Sequence, residues 1–548
     1  MRFLFALLSV CAFAEDGATR QNWPQHGGTN LFWRYSALDQ INTSNVKRLV
    51  PVWAFQTGDY EMGFQATPIV IDGVMYVSTS RSNVFALDAA TGRLIWQYKY
   101  PAPRGAVPYG PQNRGVAVAA GKVFLGTYDD YVVAIDQKTG AESWKVNVED
   151  TKQCGCNITG APLIVKDLVI VGGTGGDSAH RGYLTAFDQK TGRLRWRFYT
   201  VPGPGEKGHE TWKGDSWKLG GGATWMTGSY DPELNLVYWG VGNASSDFFA
   251  EDRASSSEDA NLYTNSVIAL DADTGKLRWH YQEVPKDVWD FDSAYESVLI
   301  DREVRGKLRK LLVHVNKGGF TFVLDRANGE FVSAFPIVDN YNWITGVTED
   351  GKLVGRKEPV AGQATYICPG AAGGKSWNQI AYSPRTGFIY TPSLEVCNDL
   401  VADRQEAKEG ASFFGGNFIM KPPPKGPAHS HVDAYDPVTG KRQWSFPYKY
   451  ALLASMLATA GDLVFTGDPE GNFFALDAKS GKKLWSFQTG AGHRGSSVSY
   501  AVNGRQYIAT PTGWGSLVSN ALTPVWPEAE TFRSGSTLMV FALPEDGR

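Results

Sequence analysis

Short apolar runs ending in an aspartate recur along the chain, each followed at a fixed distance by a glycine and a tryptophan. The copies are Ala86-Leu87-Asp88 with Gly92 and Trp96, Ala134-Ile135-Asp136 with Gly140 and Trp144, and Ala186-Phe187-Asp188 with Gly192 and Trp196. They continue as Ala269-Leu270-Asp271 with Gly275 and Trp279, Ala434-Tyr435-Asp436 with Gly440 and Trp444, and Ala475-Leu476-Asp477 with Gly481 and Trp485. A degenerate copy, Val323-Leu324-Asp325 with Gly329, carries Ser333 in place of the tryptophan. Each copy predicts a strand, a tight turn shaped by Asp and Gly, and a second strand whose Trp packs on the next unit. Such a unit cannot bury both faces alone, so the copies stack around an axis as four-stranded blades. Val540-Phe541-Ala542-Leu543 and Val52-Trp53-Ala54-Phe55 supply the two halves of one more copy. The expected fold is all-β, an eight-bladed β-propeller closed by pairing the N- and C-terminal strands, which removes two sheet edges.

Two intervals between copies are too long for one blade, about 197–268 and 330–433. Both read as loop-rich, and long loops of a propeller gather at one mouth, where ligands bind. After the fourth Trp comes Trp289-Asp290-Phe291-Asp292. In an extended segment Asp290 and Asp292 point to the same side and Phe291 points back into the protein. Like charges so close need a cation between them, or one of them takes a raised pKa and works as a base.

Composition agrees with this reading and narrows the setting. The 548 residues include 61 Gly, 28 Pro, 18 Trp and 24 Tyr, a mixture of turn formers and strand-favouring aromatics. With 53 basic and 56 acidic residues the net charge is −3, which points to no nucleic-acid partner. Residues 1–14 read as a secretion signal: Arg2, an apolar run from Phe3 to Val10, and Ala12-Phe13-Ala14 as the cleavage site. Residues 15–548 are then one exported propeller domain, and no later apolar run is long enough to span a bilayer. Loss of Cys11 with the signal leaves Cys154, Cys156, Cys368 and Cys397. An even count in an oxidising compartment favours disulfides, and the spacings pair Cys154 with Cys156 and Cys368 with Cys397. Zinc is the rival reading, but no histidine lies at ligand spacing from either pair. No Cys-x-x-Cys-His occurs, so no covalently attached c-type haem is expected.

The repeats, together with Trp289-Asp290 and several non-repeat motifs in order, make the mature chain resemble the periplasmic pyrroloquinoline quinone (PQQ) dehydrogenases of the methanol and alcohol branch, haem-free type. The resemblance implies oxidation of a small primary alcohol, or a related alcohol or aldehyde, by hydride transfer to metal-bound PQQ. A periplasmic c-type cytochrome is the implied electron acceptor. Asp290 matches the catalytic base. Asn243 in Val241-Gly242-Asn243 matches a metal ligand, as does Asp177 in Thr174-Gly175-Gly176-Asp177, with Asp290 and Asp292 completing the metal set. Trp225 matches the floor under the quinone. Arg114, Thr159, Thr174, Gly175 and Lys317 match further cofactor contacts, with Gln65 and Ser376 beside them. Oxygen ligands suit calcium or a larger trivalent ion. Asp292 resembles the lanthanide-using branch, and its added charge favours a lanthanide over calcium.

The chain departs from the family pattern in places. Pro108-Tyr109 replaces an adjacent cysteine pair that forms a ring over the quinone, and the Cys154–Cys156 pair is expected to substitute for it from the same side. Asp177 replaces a glutamate, Gln65 replaces a glutamate and Leu453 stands where a tryptophan is expected. These departures keep two other readings open: a non-catalytic propeller scaffold of the outer-membrane assembly type, and a degenerate homologue that binds PQQ without turnover.

Overall fold

A computed structural model describes residues 17–101, 109–254 and 260–545. The signal segment at 1–14 and Pro108 lie outside the described residues. The described chain is an all-β propeller with almost no helix; its two α-helices, Thr151–Cys154 and Leu517–Ala521, are single turns.

The recurring motif builds the outer hairpin of each blade. In the first copy Asp88 Oδ1 accepts from the backbone N–H of Ala90 and Thr91, each at 3.0 Å, and from Thr91 Oγ1 at 2.9 Å. Gly92 then takes a positive φ of 72°, where a side chain would be strained. The alanine faces the tryptophan across the hairpin, Ala86 opposite Trp96, and the register shifts by one residue just after it. The same pairing and shift recur at Ala134 with Trp144, Ala186 with Trp196, Ala269 with Trp279, Ala434 with Trp444 and Ala475 with Trp485. A small residue opposite a large one leaves room for the indole to lie flat against its neighbour.

That neighbour is the turn glycine of the next copy. A Cβ on Gly140 would meet the Trp96 ring at 2.8 Å, and one on Gly275 would meet Trp196 at 2.6 Å. The indole N–H reaches across as well: Trp96 donates to Gln137 O at 3.1 Å, Trp144 to Gln189 O at 3.2 Å and Trp279 to Arg326 O at 3.2 Å. At the degenerate copy Ser333 faces Val323, and Phe335 takes the tryptophan's place under Gly440. Trp485 donates to Leu49 O at 3.1 Å, next to the strand Val50–Gln56, whose Trp53 lies under Gly92. That strand pairs antiparallel with Thr537–Ala542, joining the two ends of the chain in one sheet.

The two long intervals are not simply loops. The first contains strands Ser229–Asp231 and Leu236–Gly240, which pair with Ser266–Asp271 and Leu277–Gln282 as an ordinary four-stranded sheet. The second contains Ala381–Ser383 and Phe388–Glu395, the inner strands of another such sheet. It also holds a three-stranded excursion of Thr365–Ile367, Cys397–Ala402 and Gly416–Lys421. Neither pair of inner strands ends in the Asp-Gly turn, so the repeat search passes over them. Both cysteine pairs form disulfides, Cys154–Cys156 and Cys368–Cys397.

Candidate functional site

Segments from separate sheets converge on a cavity of about 680 Å³. Arg114, Thr159, Thr174, Gly175, Asp177, Trp225, Asp290, Asp292, Lys317 and Ser376 all line it. Gln65 does not: it is buried behind Gln112, to which its Nε2 donates at 3.3 Å, and Gln112 takes the lining position. Asn243 lies beneath the lining, its Oδ1 2.8 Å from where a Cβ on Gly176 would be. Cys154 and Cys156 do not line the cavity either. The pair is packed behind it, with Cys156 against Gly175 and Gly155 against Gly410.

The acidic stretch reaches the expected arrangement by a different backbone. Asp290 has a φ of +63°, so it sits in a left-handed turn rather than an extended strand. Asp287 pins that turn: its Oδ1 accepts from Trp289 N at 3.0 Å and its Oδ2 from Phe291 N at 2.8 Å. Phe291 is buried, stacked on Trp289 with centroids 5.8 Å apart and edge-on to Trp343 at 5.0 Å. The aromatic wedge anchors the turn and leaves both carboxylates on the cavity side.

A cation does sit between them. Lys317 Nζ is 2.8 Å from Asp290 Oδ2 and 3.4 Å from Asp292 Oδ2. Asp292 Oδ1 also takes weak bonds from Trp225 Nε1 at 3.4 Å and Asn243 N at 3.3 Å. Burial opposes the Lys317 charge, but Asp290 and Asp292 outweigh it and hold its pKa well above the ordinary lysine value. One ammonium is too little for this neighbourhood. One carboxylate oxygen from each of Asp177, Asp247 and Asp290 lies within 4.8 Å of the others. Burial raises the Asp290 pKa well above the ordinary carboxylate value; Lys317 counters this and Asp177 and Asp292 add to it. Asp177 is pushed up to about 6 by burial and by Asp292. Among the described residues, Asp290 Oδ1 and Asp247 Oδ2 are buried without a hydrogen-bond donor. Such a cluster takes up protons or binds a cation, and its oxygen-only donor set fits a hard metal ion.

The far wall carries the opposite imbalance. Arg114 is buried with its guanidinium 4.9 Å from the Trp225 ring and 4.5 Å from the Trp377 ring. Burial lowers its pKa to about 9, and its Nε and Nη1 have no acceptor. Arg494 also stands 4.5 Å from the Trp377 ring and donates to Leu453 O at 2.7 Å. Neither arginine has a carboxylate partner among the described residues, a costly state that an anionic ligand would relieve. Buried arginines, a rigid indole floor and an oxygen-rich cation pocket suit a flat polycarboxylate cofactor held beside a metal ion. Asp247, Gln112, Tyr295, Trp377 and Arg494 are the site residues that sequence reasoning missed. None of them stands in a repeat or a site motif, although Gln112, Asp247 and Trp377 lie close in sequence to Arg114, Asn243 and Ser376.

The propeller profile described as "Glucose/ethanol/alcohol dehydrogenase, beta-propeller domain", a PQQ family, matches residues 23–341 and 447–508. The chain belongs to the PQQ-dependent alcohol dehydrogenase family. It is 38% identical to quinoprotein alcohol dehydrogenase PedH of Pseudomonas putida, over 93% of this chain and 89% of that protein. Against a quinohemoprotein alcohol dehydrogenase of Comamonas testosteroni it is also 38% identical, covering 92% of this chain and 74% of that one. A solved structure described as a europium-containing methanol dehydrogenase superposes with a TM-score of 0.89 at 34% identity, covering 95% of this chain and 98% of the other. Like other members of this PQQ-dependent family, the chain is an oxidoreductase. Among the described residues no helix is long and apolar enough to cross a membrane.

Proposed function

We propose that this chain is a haem-free periplasmic quinoprotein that oxidises a small primary alcohol, using PQQ and a lanthanide, and passes electrons to a c-type cytochrome. The carrying observation is the Asp290 carboxylate in the cavity, with Oδ2 held by Lys317 and Oδ1 unpartnered beside Asp177 and Asp247. When bound, the quinone supplies a two-electron acceptor and the metal a Lewis acid. Asp290 accepts the hydroxyl proton of the alcohol, while Lys317 fixes its orientation. Asp177, Asn243 and Asp290 would hold the ion, with the charge of Asp292 beside them. Arg114, with Arg494 beside Trp377, binds the cofactor carboxylates, and Trp225 supports its ring. Phe414, Phe418, Met420, Leu517 and Val518 line an apolar approach that suits the carbon end of an alcohol.

The circuit of Trp-on-Gly contacts and the pairing of Val50–Gln56 with Thr537–Ala542 support eight blades in a closed ring around this site. Europium in one structural relative and the cluster of Asp177, Asp247, Asp290 and Asp292, the second and last of them buried, support the choice of metal. The deciding experiment is reconstitution of the purified protein with PQQ and either La(III) or Ca(II), followed by dye reduction with short alcohols. Turnover with La(III) is expected. Activity with Ca(II) alone removes the lanthanide reading, and no turnover with either ion removes the dehydrogenase reading.

A further inference from the structure

Asp247 belongs to neither the repeats nor the motifs that point to the metal, yet it is fully buried at the centre of the acidic cluster. Its Oδ1 accepts from Asn243 Nδ2 at 2.8 Å, which turns the Asn243 carbonyl oxygen away from Asp247. Its Oδ2 is buried and has no hydrogen-bond donor among the described residues. Three oxygens separated by at most 4.8 Å can all lie within about 2.8 Å of one point, close to the reach of a large oxygen-ligated ion. Asp292, by contrast, is outside this trio and is occupied by Lys317, Trp225 Nε1 and Asn243 N.

We infer that Asp247 is a direct ligand of the ion through Oδ2, and that it makes the site selective for a trivalent over a divalent cation. The inference rests on the metal-dependent reading above. Four carboxylates, Asp177, Asp247, Asp290 and Asp292, against Lys317 leave three negative charges when ionised, the nearby Arg253 being offset by the buried Asp287. A trivalent ion balances them and a divalent ion leaves one behind in a buried site. Asp247 also supplies an oxygen where Asp177 is one methylene shorter than a glutamate.

The test uses the full-length protein loaded with PQQ and Eu(III). Luminescence lifetimes in H2O and D2O count the waters on the ion, and chelator competition gives the Eu(III) and Ca(II) affinities. Asp247→Asn keeps the shape and can still accept from Asn243; Asp247→Ser is the second variant should the first not fold. Expected are one added bound water, a loss of Eu(III) affinity above about 100-fold, beyond the usual effect of losing an outer-sphere partner, and a smaller loss for Ca(II). An unchanged water count overturns direct ligation, even where affinity falls, because Asp247 then acts only by positioning Asn243. Equal losses for the two ions overturn the selectivity. Wild-type protein that takes up neither ion overturns both this inference and the metal-dependent reading, whereas normal wild-type uptake with an unaltered variant overturns this inference alone.

Discussion

The protein buries two acidic clusters, and they are neutralised in opposite ways. In the blade strand His429–Tyr435, His431 lies between two buried carboxylates, with Nδ1 2.7 Å from Asp433 Oδ2 and Nε2 3.2 Å from Glu395 Oε1. Arg442 stands 3.8 Å from Asp433 and 3.0 Å from the exposed Asp339, so the two buried carboxylates have one cation between them and a second beside them. Burial opposes the His431 charge, but its two hydrogen-bonded partners override it and raise the pKa to about 9. At the mouth, Asp177, Asp247, Asp290 and Asp292 have Lys317 as their ion-paired cation among the described residues, and the nearby Arg253 is shared between Asp247 and the buried Asp287. A buried cluster that supplies its own counter-charges holds a fold together, while one that lacks them needs a ligand to complete it.

The sharpest way to break this comparison is Asp290→Asn. Turnover of the reconstituted protein should fall by about 10³-fold or more, the scale of a lost general base, while the unfolding midpoint of the metal-free protein holds or rises. A fall in stability instead would make the mouth a structural cluster like the other.

The reverse pattern is expected of His431→Gln: a loss on the order of 3 kcal/mol near pH 6, with activity per folded molecule retained. The folded pKa of His431 is raised, so its contribution is complete below about pH 6.5 and disappears as the pH rises through about 9. Glu395 has a lowered pKa, so its share is present above its ordinary value of 4.5 and is lost as the pH falls through the folded value. Denaturant unfolding of wild type and variant across pH 4 to 10 should therefore show the widest gap between about 5 and 6.5 and convergence above about 9.

Ion addition separates the clusters further. La(III) at about 100 times its Kd should stabilise the wild type by about 2.7 kcal/mol. The same stabilisation should appear in His431→Gln and be much reduced in Asp290→Asn, read as shifts in thermal midpoint. The smallest effect is expected of Arg442→Gln, a partly exposed group whose loss should cost under about 1 kcal/mol and shrink in high salt.

How much of this was legible in the chain depends on how far each contact reaches. Asp88, Thr91 and Gly92 form their turn within five residues, and Trp96 meets the same turn one repeat later. Such contacts leave a fixed spacing in the sequence, so the blade hairpins and the pairing of the chain ends could be read directly. That Asp290 and Asp292 share a side and need a cation was also legible, whereas Lys317 was expected as a cofactor contact and only the fold makes it that cation. Asp247, Arg494 and Trp377 carry no such spacing, and they reach the site only because loops from different sheets fold over the same opening.

By itself, then, the sequence determined the repeating unit, because Ala, Asp, Gly and Trp at fixed intervals each satisfy a local steric or hydrogen-bonding demand that recurs along the chain. Tertiary structure alone decided which carboxylates share a cation and which do not. It turned Asp290 through a left-handed conformation held by Asp287, kept Gln65 behind Gln112, and brought Asp247, with one oxygen lacking a donor, close to Asp177 and Asp290. Charge balance in a buried site is set by distances of a few ångströms between residues far apart in sequence, and no spacing along the chain encodes it.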